Sequence, residues 1–281
     1  MAHNLKKLVG SNPKIETIVE GMMATEGPVF SRAGYLLFSD IGARRIMKWQ
    51  DGVLTAYRAN SNRANGLTFD HLGRLLACEA GRVTRTEYDG CITVLAHEYQ
   101  GKGLNIPNDL VYAIDGSIYF SDLLFRNPPP NPERTDFSAL YQITPRGEIR
   151  IASRDCVRPN GMALTADQRK LYLADSGPRT LWVYDIAPDG SLKNGHLFAD
   201  MNSGPNGVPD GLKTDTDGNV WVAGPHGIWV FNAHGDNLGI IALPKIPTNC
   251  CWGGREYRDF FVTAGSSVYK ISTNVDGTRT Y

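Results

Sequence analysis

The sequence predicts an all-β chain folded as a six-bladed β-propeller of four-stranded antiparallel blades, and three observations carry that expectation. A short apolar run ending in a small or acidic residue occurs six times, an oxygen-bearing residue stands 14 or 15 positions before the end of each copy, and helical periodicity is almost absent. Radial repetition of one β unit around a central channel is the architecture that such copies describe. A sandwich or two separate β domains would not place six copies in phase.

Each unit opens with the stretch that holds the oxygen-bearing residue: EGPVF at Glu26, NGLTF at Asn65, NDLVY at Asn108, NGMAL at Asn160, DGLKT at Asp210 and NCCWG at Asn249. The second element is the apolar run: GYLLFSD, GRLLACE, GSIYFSD, KLYLAD, GNVWVAG and DFFVTA. A third run of alternating character follows, RRIMKWQDG in the first unit and RTLWVYDIAPDG in the fourth, with β-branched and aromatic residues and a Gly-containing turn. A fourth run, such as LTAYRA or CITVLAH, completes five of the units. The sixth lacks it, and KIETIVE, Lys14 to Glu20, alternates correctly to supply it from the other end of the chain. Pairing there closes the ring and covers an open edge. The expectation is one propeller domain over residues 1–281 with no linker.

Composition bounds the partners. The 281 residues carry 29 basic and 29 acidic side chains, which removes the electrostatic footprint of a nucleic-acid binder or a polybasic membrane-surface protein. No run approaches the length of a membrane span, and MAHNLKKLVGSNPK has a basic start without an apolar signal core. Five cysteines without CxxC spacing (Cys78, Cys91, Cys156, Cys250 and Cys251) read as reduced thiols. A cytoplasmic chain acting on a small molecule, as a monomer or small homo-oligomer, is expected.

Six-fold repetition gathers Glu26, Asn65, Asn108, Asn160, Asp210 and Asn249 at one end of the channel. Turn capping explains Asn and Asp at strand starts, yet it explains Glu26 poorly, because Glu is not a turn former. Two carboxylates and several amide oxygens converging there make an oxygen-only seat for a divalent cation: Ca²⁺ first, with Mg²⁺, Mn²⁺, Zn²⁺ or Fe²⁺ also admitted. If inner strands start at this face, the loops after the second strands overhang it. The longest, LLFRNPPPNPERTDFS from Leu123 to Ser138, reads as a wall over the substrate. Lys102, Arg126 and His226 are weaker candidates from neighbouring loops.

The motifs EGPVF, LLACE with RVTRTEYDG, GKGLNIPNDL, SIYFSD, RPNGMALTAD, GVPDGLKTDTDGNVWVA and PTNCCWGG resemble the gluconolactonase/regucalcin (senescence marker protein) family, from about Glu26 to Gly265. The resemblance implies a propeller that hydrolyses sugar lactones with one divalent metal in the channel. It implies Glu26, Asn160 and Asp210 as metal ligands, Asp210 also as general base, and Asn108 as a metal- or substrate-binding residue. Three stretches depart from the family pattern: Cys78-Glu79-Ala80 stands for CEH, SDLLFRNPPP for SIYFTDPPYG, and Ile106 for an Arg. All lie where substrate hydroxyls are read.

The chemistry expected is hydrolysis of an aldonolactone such as gluconolactone, with the cation polarising the carbonyl. Asp210 takes the proton of the attacking water or merely orients that water, and both versions stand at this level. Asn108, Asn65 and Asn105 are the candidate substrate-binding amides, since an amide both donates and accepts. No Gly-x-Ser-x-Gly elbow is present. Two rival readings use the same scaffold: an organophosphate or other ester hydrolase like the diisopropylfluorophosphatases, and a non-catalytic binding propeller.

Overall fold

A computed structural model of the chain describes residues 2–124, 131–203 and 207–279. Its strands form six four-stranded antiparallel sheets, each ordered so that the first strand of a unit is innermost and the last outermost. The first blade runs Thr25–Ser31, Tyr35–Asp40, Arg45–Gln50, Val53–Arg58. Inner strands of later blades are Leu67–Phe69, Ile106–Tyr112, Pro159–Leu164, Leu212–Thr214 and Asn249–Gly253. Each inner strand packs against the inner strand before and after it, and Asn249–Gly253 packs back against Thr25–Ser31, so the ring is closed. The sixth blade takes its outer strand from the start of the chain: Ile15–Val19 pairs antiparallel with Ser267–Ser272, Ile15 opposite Ile271 and Thr17 opposite Tyr269.

The core lies between blades, and each of the six seams has its own apolar cluster. Alternation explains why the second strands read as unbroken apolar runs. Leu36 and Phe38 fill the seam between the sixth and first blades while Leu37, between them in sequence, fills the seam between the first and second. A strand covered on both faces has no polar side to show. The outer strands do have one, and Val53–Arg58 is mostly exposed.

The acids that end the second strands anchor the chain where it enters each blade. Asp40 Oδ1 accepts the backbone N–H groups of Met23 and Ala24 at 3.0 and 3.1 Å. Asp175 does the same for Val157 and Arg158, both at 2.8 Å. Asp122 receives Asn105 N–H at 2.9 Å, and Glu79 is held by Arg58, Arg82 and Thr84. These carboxylates therefore fix the loops at the mouth of the channel.

Two elements fall outside the repeat. A helix, Ala2–Val9, lies on the outer strand Asn237–Ala242, and Leu5, Leu8 and Val9 join the apolar cluster of the fifth and sixth blades. Their spacing of three and four residues is the helical signal in an otherwise strand-patterned sequence. At the other end, the chain after the sixth blade crosses beneath the channel: Thr278 N–H donates to Thr214 O at 3.0 Å and Gly277 N–H to Tyr257 O at 2.8 Å. No helix among the described residues is long and apolar enough to cross a membrane.

Deleting residues 1–20 removes the strand that closes the ring and exposes the seam around Val19, whereas deleting residues 1–10 removes the helix alone. The longer deletion is expected to lower the thermal midpoint by about 10 °C, from roughly 3 kcal/mol at about 3 °C per kcal/mol, and the shorter one by less than half of that. Equal midpoints for the two truncations, measured by calorimetry, would refute the closing role of the strand.

Candidate functional site

The six unit-opening residues do gather at one end of the channel, and the way they are aimed follows from crowding at the axis. Position two of the unit is Gly27, Gly66, Gly161 or Gly211 in four of the blades. A Cβ on Gly27 would collide with the backbone of Asn65 and Gly66, and one on Gly161 with that of Asp210 and Gly211. One on Gly66 would meet Asp109, and one on Gly211 the Asn249 side chain. Glycine stands there because a neighbouring inner strand passes in contact, so the Asn-Gly of PNGMAL is not a hairpin turn. Bulges finish the aiming: ladder register shifts between Glu26 and Val29, between Pro107 and Leu110, and between Pro159 and Met162. Each bulge turns a unit-opening residue away from its sheet.

Glu26 is 8 % exposed and Asp109 2 %. Burial raises the Glu26 carboxyl to about 7; the Gly27 N–H, which donates to Glu26 Oε2 at 2.8 Å, opposes the rise, and the Asp109 charge adds to it. Asp210 is pushed well above the carboxylate range, first by burial, then by the charges of Glu26 and Asp109, against the opposing pull of the Asn160 amide. Burial also raises Asp109, which Lys213, the Leu110 N–H and the Asn249 amide hold back. Three carboxylates thus share the channel, one more than the unit-opening residues alone supply.

Asn160 donates its Nδ2 to Ser176 Oγ at 2.9 Å, and Ser176 donates in turn to Pro209 O at 2.6 Å. That chain fixes the amide so that Asn160 Oδ1 is buried without a hydrogen-bond partner; Asn65 Oδ1 is likewise buried and unpartnered. A buried acceptor left open is costly, and Asn160 Oδ1, on the amide that acts on Asp210, fits a cation as its missing partner. Among the described residues no three His, Cys, Asp or Glu side chains converge as a metal-holding group, so a cation seated by Glu26 and Asp210 draws its further oxygens from the amides. That donor chemistry, all hard oxygen, fits Ca²⁺, Mg²⁺ or Mn²⁺.

Asn108 is half-buried at the mouth and its carbonyl receives Gly66 N–H at 2.8 Å. Asn105 has a different occupation from the substrate contact expected of it. It is buried, and its Nδ2 is directed at Asp122 Oδ2, Thr135 Oγ1 and Phe137 O at 3.3, 2.7 and 3.0 Å. It ties Asp122 to the returning arm of the long loop. Of that loop, residues 125–130, which include Arg126 and the three prolines, lie outside the described residues; the arm from Asn131 docks on Lys102–Asn105, with Thr135 N–H on Gly103 O at 3.0 Å and Arg134 on Leu104 O and Asn105 O. Lys102 and His226 are exposed. Asn249 is buried, and its Nδ2 reaches Asp109 Oδ2 at 3.2 Å.

Asp109 and Lys213 escape a reading centred on the first residue of each unit. The signal that finds them is the mismatch with the other units: Asp109 stands at position two, where four blades have Gly, and Lys213 at position four, where the others have Val29, Thr68, Val111, Ala163 and Trp252. Below them the channel narrows to a chamber lined by residues such as Thr68, Leu110, Lys213, Trp252, Tyr257 and Thr278, with about 40 Å³ available to the centres of water molecules. That holds a few waters and no sugar ring.

Comparison with known proteins adds to this geometry. Residues 24–266 match the family described as the SMP-30/Gluconolactonase/LRE-like region. A gluconolactonase of Zymomonas mobilis is 28 % identical over 308 residues, covering 97 % of this chain and 85 % of that protein. A regucalcin of Oryctolagus cuniculus is 24 % identical over 262 residues, covering 90 % of this chain and 87 % of its own. The solved structure of a Xanthomonas campestris gluconolactonase superposes with a TM-score of 0.87 at 29 % identity, over 97 % of this chain and 93 % of that one.

Protonation of the site couples to stability. Glu26 and Asp122 titrate near their ordinary values of 4.5 and 3.8 when unfolded and near 7 when folded, so between these limits the folded chain holds protons that the unfolded chain has released. Their contribution is full below about pH 4 and is lost as pH rises through 7. With divalent cations chelated, the thermal midpoint is expected to fall between pH 5 and pH 7.5, and Glu26→Gln to make that fall shallower without removing the Asp122 share. A Glu26→Gln slope equal to the wild-type slope would move the proton off Glu26.

Proposed function

Since the chain belongs to the SMP-30/gluconolactonase/LRE-like family, we propose that it is a metal-dependent lactonase that opens an aldonolactone such as gluconolactone to the free acid. The observation that carries the reading is the placing of buried Glu26 and half-buried Asp210, from the first and fifth blades, with the unpartnered Oδ1 of Asn160, whose amide acts on Asp210. The relatives named gluconolactonase, matched nearly end to end, supply the substrate class.

A divalent cation held by Glu26, Asp210 and Asn160 Oδ1 supplies Lewis-acid polarisation of the lactone carbonyl. Asn160 is held in register for this by Ser176, and the Gly27 N–H steadies Glu26. Asn108 and Asn65 present amides at the mouth to the ring hydroxyls, the donors and acceptors a sugar requires. Asp210 accepts a proton from the water that adds to the carbonyl carbon. Its burial beside Glu26 favours taking that proton. As the ester C–O bond breaks, the same carboxyl returns the proton to the departing ring oxygen, which becomes a hydroxyl. Ile106, 42 % exposed beside these amides, gives the rim an apolar edge.

The test is a panel of aldonolactones, simple lactones and a paraoxon-type ester, assayed by acid or alcohol release on metal-stripped protein resupplied with Ca²⁺, Mg²⁺, Mn²⁺ or Zn²⁺. Aldonolactone turnover is expected only with metal restored, and Asp210→Asn and Glu26→Gln should each lower kcat/KM by at least about a hundredfold, the scale of removing one transition-state charge contact. Asn105→Ala should instead lower the thermal midpoint. Turnover that survives both stripping and Asp210→Asn would overturn the reading, and a preference for the phosphoester would change the substrate class.

A further inference from the structure

Three carboxylates share the channel, and one divalent cation neutralises two of them. The third, Asp109, meets only neutral donors directly: Oδ1 accepts Leu110 N–H at 2.9 Å and Oδ2 accepts Asn249 Nδ2 at 3.2 Å. A buried charge with no compensating charge is strongly disfavoured. The cation that faces this part of the channel is Lys213. It stands at a position where every other blade has an uncharged residue, its side chain lines the chamber together with Leu110, which follows Asp109, and its Nζ donates to Leu212 O at 2.9 Å. Nζ carries two further protons that this bond does not use. Lys213 and Asp109 form no direct ion pair, and the chamber between the inner strands has room for the few waters that would bridge them.

We propose that Lys213 is a fixed internal cation of the channel, a positioning residue that neutralises Asp109 from below and so leaves Glu26 and Asp210 as a two-carboxylate seat for one divalent ion. This rests on the metal-binding part of the function proposed above. Its charge repels an ion arriving in the seat, so the lysine limits cation affinity. Asp109 acts in the opposite sense and draws the ion in.

A double-mutant cycle on cation affinity separates this role from simple packing. Metal-stripped wild type, Lys213→Met, Asp109→Asn, the double variant and Lys213→Arg are titrated calorimetrically with Ca²⁺ and with Mn²⁺ at pH 8. Lys213→Met is expected to bind about tenfold more tightly, Asp109→Asn about tenfold more weakly, and the double variant within about threefold of wild type, the scale of one partly screened charge a few ångströms away. Lys213→Arg, which keeps the charge, should bind like wild type. Thermal midpoints of the metal-free proteins give the second arm: Lys213→Met should be destabilised, and adding Asp109→Asn should restore most of the loss.

Wild type that binds one ion, beside a Lys213→Met variant whose affinity is unchanged or weaker, would overturn the proposal and leave the metal seat intact. Wild type that binds no ion would overturn the seat, and the thermal cycle alone would then decide on Lys213: restoration by Asp109→Asn supports the charge pairing, and additive losses refute it. If Lys213→Met is insoluble, a soluble double variant supports the proposal, and an insoluble one beside a soluble Asp109→Asn overturns it.

Discussion

Close approach of the inner strands at the axis is the constraint on which the rest of the structure depends. Around a narrow channel four of the six units have no room for a side chain at the second position, where a Cβ on Gly27, Gly66, Gly161 or Gly211 would strike the adjoining inner strand. The same crowding brings residues from distant parts of the chain within reach of one another. Asn249 touches Asp109 across 140 residues of sequence because both lie on inner strands that meet at the axis. Bulges at the first, third and fourth blades then convert a ring of strand starts into a ring of inward side chains. The site is thus a by-product of closure, and closure depends on the pairing of Ile15–Val19 with Ser267–Ser272.

Closure also dictates the electrostatics. Carboxylates drawn into a narrow apolar channel lose water, and each raises the proton affinity of its neighbours. In a fold that had no use for a cation, such a cluster would be replaced by packed apolar residues, since buried charge rarely adds stability. Here the seams outside the channel supply the apolar burial, six clusters in all, and they hold the backbone so firmly that the like charges cannot move apart. A stiff scaffold that bears such strain would be pre-organised for the proposed ion.

Most of the fold was legible because a propeller repeats its signals. Six second strands are apolar throughout for one reason, coverage on both faces, and the constant distance to Glu26, Asn65, Asn108, Asn160, Asp210 and Asn249 registers the inner strands to them. The closing role of KIETIVE was legible from the missing outer strand. The helix Ala2–Val9 was not, because its pattern, Leu5, Leu8 and Val9, is one turn long and sits where a repeat-based reading does not look. Within the site, Glu26, Asp210 and Asn160 were legible by repetition. Asp109 and Lys213 were not, since they are departures from the repeat, and Asn105 was misread because its neighbours Asp122, Thr135 and Phe137 come from a loop whose return path no local pattern encodes.

The departures carry the specificity, and symmetry explains why. A ring of six equivalent residues would present an evenly charged rim with no preferred orientation for a ligand. This ring is uneven: Glu26, Asp210 and Asn160 lie on the first, fifth and fourth blades, while Asn65 and Asn108 lie on the second and third. Carboxylates are therefore set on one side of the axis and neutral amides on the other, and Lys213 under the fifth blade with Asp109 in the third spans the two halves. A lactone has the same division, a polar ester group at one end of its ring and hydroxyls around the remainder. Under the proposed function, a lactone seated with its carbonyl toward Glu26 and Asp210 would bring its hydroxyls toward the amides of Asn65 and Asn108.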